Sequence, residues 1–263
     1  MVRTLTLALL VCIAPLTGCR GVFGIEEPVD RDDAMPSADA ALDATVRIDA
    51  PATPASIQYV GHGNSLADAD TYTFIAVPLG GPVAGRHAIV VTHSYSSTTP
   101  FAPTSIILGG DLVATRAVSA GEGVAGGVVA IYIAAIPDAR TSNDIVLAFT
   151  GAAGDRVVSI GAWVTYGLTS TTPFDVGSVP NGAGNSVVPV DVPGGGVLVG
   201  GVSIGGLGST PTVTWTGLSP AYSEVVETTH VSGAAANTAV AETRMLQFAA
   251  PVSSQRIVAA SFR

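Results

Sequence analysis

Asn143-Asp-Ile-Val-Leu-Ala-Phe-Thr150 places Ile145, Leu147 and Phe149 on one side of an extended chain and Asp144, Val146, Ala148 and Thr150 on the other. A two-residue period of this kind belongs to a strand with one face in a core. Pro211-Thr-Val-Thr-Trp-Thr216 repeats it, with Val213 and Trp215 opposing Thr212, Thr214 and Thr216. Across the rest of the chain, candidate strands fall at 57–60, 71–77, 86–96, 104–108, 112–118, 127–136, 143–150, 156–168, 185–192, 196–204, 211–217, 222–232, 238–250 and 256–263. No stretch carries a helical period for more than two turns. Gly-Gly, Pro-Asn-Gly and Pro-Gly-Gly signals at 80–81, 109–110, 126–127, 180–182 and 193–196 supply the tight turns.

So many short strands without crossover helices predict an all-β fold of antiparallel sheets packed face to face. A single jelly-roll-like β-sandwich over residues 56–263 accommodates that number of strands. Two smaller sandwiches in tandem, divided near Thr169–Pro180, are the alternative; no sequence repeat links the halves.

Composition points the same way. Apolar residues make up 48% and charged residues 12% of the 263, with 31 Gly and 17 Pro, which excludes a coiled coil or a charge-driven disordered chain. Every basic residue is Arg, and residues 56–263 carry 7 Arg against 12 acidic residues. No basic stretch could neutralise a run of phosphates, so nucleic acid is not an expected partner.

The N-terminus reads as an address. Arg3 precedes an apolar run from Leu5 to Leu16 that is too short to span a bilayer. Leu16-Thr-Gly-Cys19 follows, and it resembles the lipobox of bacterial lipoprotein signal peptides. The resemblance implies removal of residues 1–18, acylation of Cys19 and anchoring to a lipid bilayer; several acyl chains hold where one does not. Arg20 stands where such families place a retention Asp, which favours the outer membrane, facing periplasm or cell exterior. Residues 19–55 are rich in Asp, Ala and Pro, and read as a flexible acidic spacer. Cys12 leaves with the signal, so no disulfide framework is expected.

The body resembles Gly/Thr-rich β-sandwich segments of bacterial surface proteins and phage virion proteins. The stretches that carry the likeness are Ile57-Gln-Tyr-Val-Gly61, Tyr72-Thr-Phe-Ile-Ala-Val-Pro-Leu-Gly80, Arg86-His-Ala-Ile-Val-Val91, Ala130-Ile-Tyr-Ile133, Trp215-Thr-Gly-Leu218 and Ala249-Ala250. This resemblance implies a structural or adhesive module and transfers no catalytic residue.

Chemistry-bearing residues are sparse. His87 and His93 share a strand face with Ile89 and Val91, and His230 shares one with Glu224; no metal-binding His spacing joins them. Ser94 or Ser96, His93 or His230, and Asp111 or Asp175 supply triad parts, as any Ser-rich chain does. Gly201-Val-Ser-Ile-Gly205 and Gly121-Glu-Gly-Val-Ala-Gly126 match motif letters but lack the strand-to-helix context that gives those motifs meaning. Asp68 and Asp70 in one loop, with Asp138 and Asp144 around another, are the residues a loop calcium ion would use. Trp163 and Trp215 belong in the core, whereas Tyr95 and Tyr222 are candidates for an aromatic ligand surface. No cofactor is implied. The expectation is therefore a surface-anchored lipoprotein with a non-enzymatic structural or binding module for a glycan or protein ligand. The alternative is a lipid-anchored hydrolase acting on glycans or esters.

Overall fold

Strands that are apolar at nearly every position, such as Val128–Ile136 and Val197–Ile204, cannot each present a wet face, and they decide how the sheets stack. The computed structural model describes residues 53–96, 101–123, 127–150, 156–182, 184–205, 214–249 and 254–263. The stretch read as an export signal, Cys19 and the expected spacer up to residue 52 lie outside the described residues, as do 124–126 of the glycine motif.

The N-terminal half contains β1 (Ser56–Ser65), β2 (Thr71–Pro78), β3 (Arg86–Tyr95), β4 (Ser105–Leu108), β5 (Leu112–Val113), β6 (Thr115–Ala120), β7 (Val128–Ile136), β8 (Ser142–Ala148) and β9 (Val157–Tyr166). The C-terminal half contains β10 (Asp175–Gly182), β11 (Asn185–Val192), β12 (Val197–Ile204), β13 (Thr214–Thr216), β14 (Ser219–Val226), β15 (Thr229–Asn237), β16 (Glu242–Ala249) and β17 (Gln255–Phe262). All pairings are antiparallel and none crosses between the halves.

In the first half, an inner sheet β1-β9-β3-β7-β6 faces an outer sheet β2-β8-β4-β5. In the second, an inner sheet β10-β17-β12-β15-β14 faces an outer sheet β11-β16-β13. Substituting β10 for β1, β11 for β2, β12 for β3, β13 for β4, β14 for β6, β15 for β7, β16 for β8 and β17 for β9, with the two-residue β5 left out, turns one order into the other. The same eight-strand, double Greek-key path is thus traced twice. The fold is all-β and antiparallel, as expected, and within one compact unit its strands form two sandwiches, one over β1–β9 and one over β10–β17.

Each sandwich has its own core: Val90, Tyr132, Ile145 and Leu147 in the first, and Val190, Leu198, Leu246 and Phe248 in the second. A third core joins them. Ile89, Val91, Ile131 and Trp163 of the first inner sheet pack on Val199, Tyr222, Val231 and Val258 of the second. The result is four layers, with the central strands of the two inner sheets buried on both faces. β1 lies over β14 and β15, β3 over β12, and β6 over β10 and β17. This is the arrangement of a two-fold dimer about an axis through β3 and β12, built within one chain.

Two further features fix the ends. Arg86, 1% exposed, gives its guanidinium to six backbone carbonyls, those of Leu79, Gly80, Val83, Pro137, Asp138 and Arg140, at 2.6–3.1 Å. At the same end Ala55 N donates to Gly195 O at 2.7 Å and Thr169 N to Arg263 O at 2.9 Å. The point where the chain enters the body, the link between the halves and the C-terminal residue therefore share one pole.

Candidate functional site at the seam between the sandwiches

Tyr222 is the pivot of a cluster to which both sandwiches contribute aromatic and titratable side chains. It sits on β14, an edge strand, and turns inward onto β1 and β9 of the first sandwich. Its ring is 5.5 Å from that of His62 and 6.1 Å from that of Tyr59, within 16° and 22° of parallel, and edge-on to His93. Room for it comes from two glycines: a Cβ on Gly161 or on Gly233 would lie 2.1 or 2.4 Å from Tyr222 Cε1. The phenol oxygen is 2.6 Å from His93 Nε2. Burial pushes the Tyr222 hydroxyl well above its ordinary value and takes His93 down to about 3, so both are neutral in the folded chain.

Towards solvent the cluster becomes polar. β1 carries a bulge between Tyr59 and Gly61, which resets its alternation and brings Tyr59, His62 and Asn64 round to the seam. Tyr59 Oη is 2.5 Å from His62 Nδ1. Burial and the charge on Glu224 raise the Tyr59 phenol to about 12, so it is held as a hydrogen-bonding hydroxyl and not as a phenolate nucleophile. Glu224, two residues beyond Tyr222 on the same face, accepts from Asn64 Nδ2 and from Ser159 Oγ, each at 3.3 Å. His62 Nε2 stands 3.7 Å from Glu224 Oε2, too far for a hydrogen bond; their side chains are 43% and 23% exposed. Imidazole, amide and carboxylate thus converge at the mouth, above a floor of packed rings.

The residues expected from sequence distribute differently. Tyr222 is 5% exposed and closes the seam from inside, a correction to its expected place on an open surface. Its reason is the slot left by Gly161 and Gly233. Tyr95 ends β3 and packs on the inter-sandwich core. Trp163 is buried at 1%, and Trp215 packs on Phe248 with Nε1 donating to Ser232 Oγ at 2.9 Å. His230 does not share a strand with Glu224: Glu227, at φ 54°, turns the chain between β14 and β15, and His230 Nε2 pairs with Ser223 Oγ at 2.8 Å.

The carboxylates of Asp68, Asp70 and Asp144 are met by protein groups. Asp68 Oδ1 accepts from Arg156 N at 3.3 Å, and Asp70 Oδ1 lies 3.4 Å from Arg156 Nη1. Asp144 Oδ1 accepts from Ala76 N at 2.8 Å, and Asp138 serves Arg86 through its backbone carbonyl. No three His, Cys, Asp or Glu side chains converge among the described residues. The triad parts are equally scattered. Ser94 Oγ donates to Phe101 O at 2.8 Å, Asp111 pairs with Arg140 at 2.5 Å, Asp175 Oδ2 accepts from Asp191 N at 2.8 Å, and Ser203 is buried within β12.

His62 and Asn64 carried no sequence signal of their own. Asn64 and Glu224 are 160 residues apart in the chain, and only the stacking of the two sandwiches joins them. Comparison with protein-family models, curated proteins and solved structures returned no match.

Proposed function

We propose that the protein is a lipid-anchored surface module that binds glycans through the seam formed by His62, Asn64 and Glu224. The observation that carries the reading is the placement of this mouth. The chain enters the body at Ser56, and β1 runs from there to Asn64, roughly 25 Å away at the usual rise per residue. A body tethered through Cys19 would thus hold the seam at the end remote from its point of attachment. Adjacent donor and acceptor atoms on rigid side chains suit neighbouring sugar hydroxyls, and half-buried rings suit the apolar face of a pyranose.

The test has two arms. Cys19→Ser, or globomycin, should leave unprocessed precursor without acyl label; normal acylation of that variant would remove the anchor. The lipid-free chain should bind reproducibly on a glycan array, and Glu224→Gln should abolish the signal. Capture of a protein alone, with a blank array, would replace glycan by protein as the ligand.

One observation favours the hydrolase alternative: Tyr59, His62 and Glu224 follow one another in the order of a nucleophile, a base and its orienting acid. The protonated phenol argues for binding. Glycan or ester hydrolysis lost in both Tyr59→Phe and Glu224→Gln would reverse that preference.

A further inference from the structure

We propose that the seam holds a divalent transition-metal ion, zinc in the first instance, between His62 Nε2 and Glu224 Oε2. The inference rests on reading the seam as the ligand-binding surface, and it names what that surface recruits.

The spacing of the two atoms argues first. At 3.7 Å, His62 Nε2 and Glu224 Oε2 are too far apart to share a proton. An ion about 2.1 Å from each would subtend roughly 125°, a modest side-chain rotation from tetrahedral. The outer contacts argue second. A metal-binding imidazole is normally oriented through its other nitrogen, and a metal-binding carboxylate through its other oxygen. Here Tyr59 Oη engages His62 Nδ1 at 2.5 Å, and Ser159 Oγ donates to Glu224 Oε1 at 3.3 Å. His62 Nε2 is thereby turned towards Glu224 Oε2, whose one neighbour besides the imidazole is the Asn64 amide at 3.3 Å.

Asn64 is the third donor. Its amide is 3.3 Å from Glu224 Oε2, and turned over it presents Oδ1 to the same point. Solvent completes the shell, so positions stay open for a sugar hydroxyl or a carboxylate. An imidazole donor selects zinc, copper or nickel over calcium. The remaining His87, His93 and His230 are buried and do not compete. Residues 56–263 carry more acidic than basic groups, and no Arg is paired with Glu224 among the described contacts, so the local charge also suits a cation.

The experiment uses the chain from residue 19 with Cys19→Ser, which removes the thiol as a rival ligand. Calorimetric titration with zinc chloride should saturate at one ion per chain. The copper(II) form should show nitrogen hyperfine coupling from a single imidazole. His62→Ala should abolish both signals, and Glu224→Gln should weaken binding. Tyr59→Phe, which leaves every ligand atom in place, should weaken it about tenfold through loss of orientation. An unsaturable isotherm, or one unchanged in both His62→Ala and Glu224→Gln with circular dichroism intact, would overturn the proposal. Glycan binding that survives EDTA, together with no zinc isotherm, would remove the metal while leaving the binding reading in place. Zinc binding with a blank glycan array would do the reverse.

Discussion

Gly161 and Tyr222 meet across the boundary between the two sandwiches so closely that a Cβ on the glycine would stand 2.1 Å from the ring. One hydrogen in place of a methyl group lets β9 and β14 approach and gives the cluster its pivot. Gly161→Ala must push Tyr222 out or part the sheets, at a cost of about 1–3 kcal/mol. Gly81→Ala, where the added Cβ meets nothing within 4 Å, is the neutral control. Urea unfolding of the two variants should differ by that amount; equal midpoints would mean that the seam yields freely.

Acid should loosen the same boundary. His93 falls from 6.5 in the unfolded chain to about 3 in the folded one because its imidazole is buried, with a smaller contribution from His230. A histidine with a depressed folded value contributes stability that is complete above 6.5 and is lost as the pH falls towards 3. His87 and His230 are also lowered by burial and add to the slope. The thermal midpoint should therefore be level from pH 8 to about 6.5 and decline below it. The decline should be shallower in His93→Gln, and an identical slope in that variant would assign the acid sensitivity elsewhere.

Alkali acts through the buried phenols of Tyr59, Tyr72 and Tyr132 and, most of all, through Tyr222. Its hydroxyl is raised above 10.0 by burial, so its contribution is complete below pH 10 and is lost above it. Tyr222→Phe should remove this alkaline loss and leave His93 Nε2 without its partner, costing about 1–3 kcal/mol at neutral pH. Chemical denaturation at pH 7 and pH 11 separates the two effects.

Arg86 closes the pole at which the chain enters. Six carbonyls converge on one guanidinium, and no other side chain presents five donors in a plane. Arg86→Lys should be nearly as damaging as Arg86→Met, each by at least about 3 kcal/mol. Full rescue by lysine would show that charge alone is sufficient.

Ala76 sits at φ 53° in the β2 bulge, where its N–H is held by Asp144. A non-glycine residue pays about 1 kcal/mol for that conformation. Ala76→Gly should raise the thermal midpoint, whereas Asp144→Ala should lower it. A fall with glycine would place the stabilisation in the methyl group instead.

Much of the fold was legible because alternation marks a strand wherever one face is wet, as in β8 and β11. Runs such as β7 and β12 read as strands through their β-branched content, although both faces are buried. β10 was missed because Gly177, Pro180 and Asn181-Gly182 imitate a turn; as an edge strand it tolerates all of them. In the sequence, 222–232 reads as a single strand because Glu227 makes its turn without glycine, proline or asparagine. The repeat stayed hidden because strand order, and not residue identity, is what the halves share. The seam was illegible for a related reason: Tyr59, His62 and Asn64 reach their partners only after a bulge and a stacking of sheets, neither of which leaves a local pattern.

β1 has a mechanical consequence. Its first residue follows the point where the chain enters the body, and Asn64 near its last residue reaches Glu224 at the mouth of the seam. A pull between an anchored N-terminus and a ligand at that mouth would run along one strand. The rungs that tie β1 to β9, from Ser56 opposite Tyr166 to Ser65 opposite Val158, would then be spared, because the load enters and leaves through the covalent backbone of the same strand.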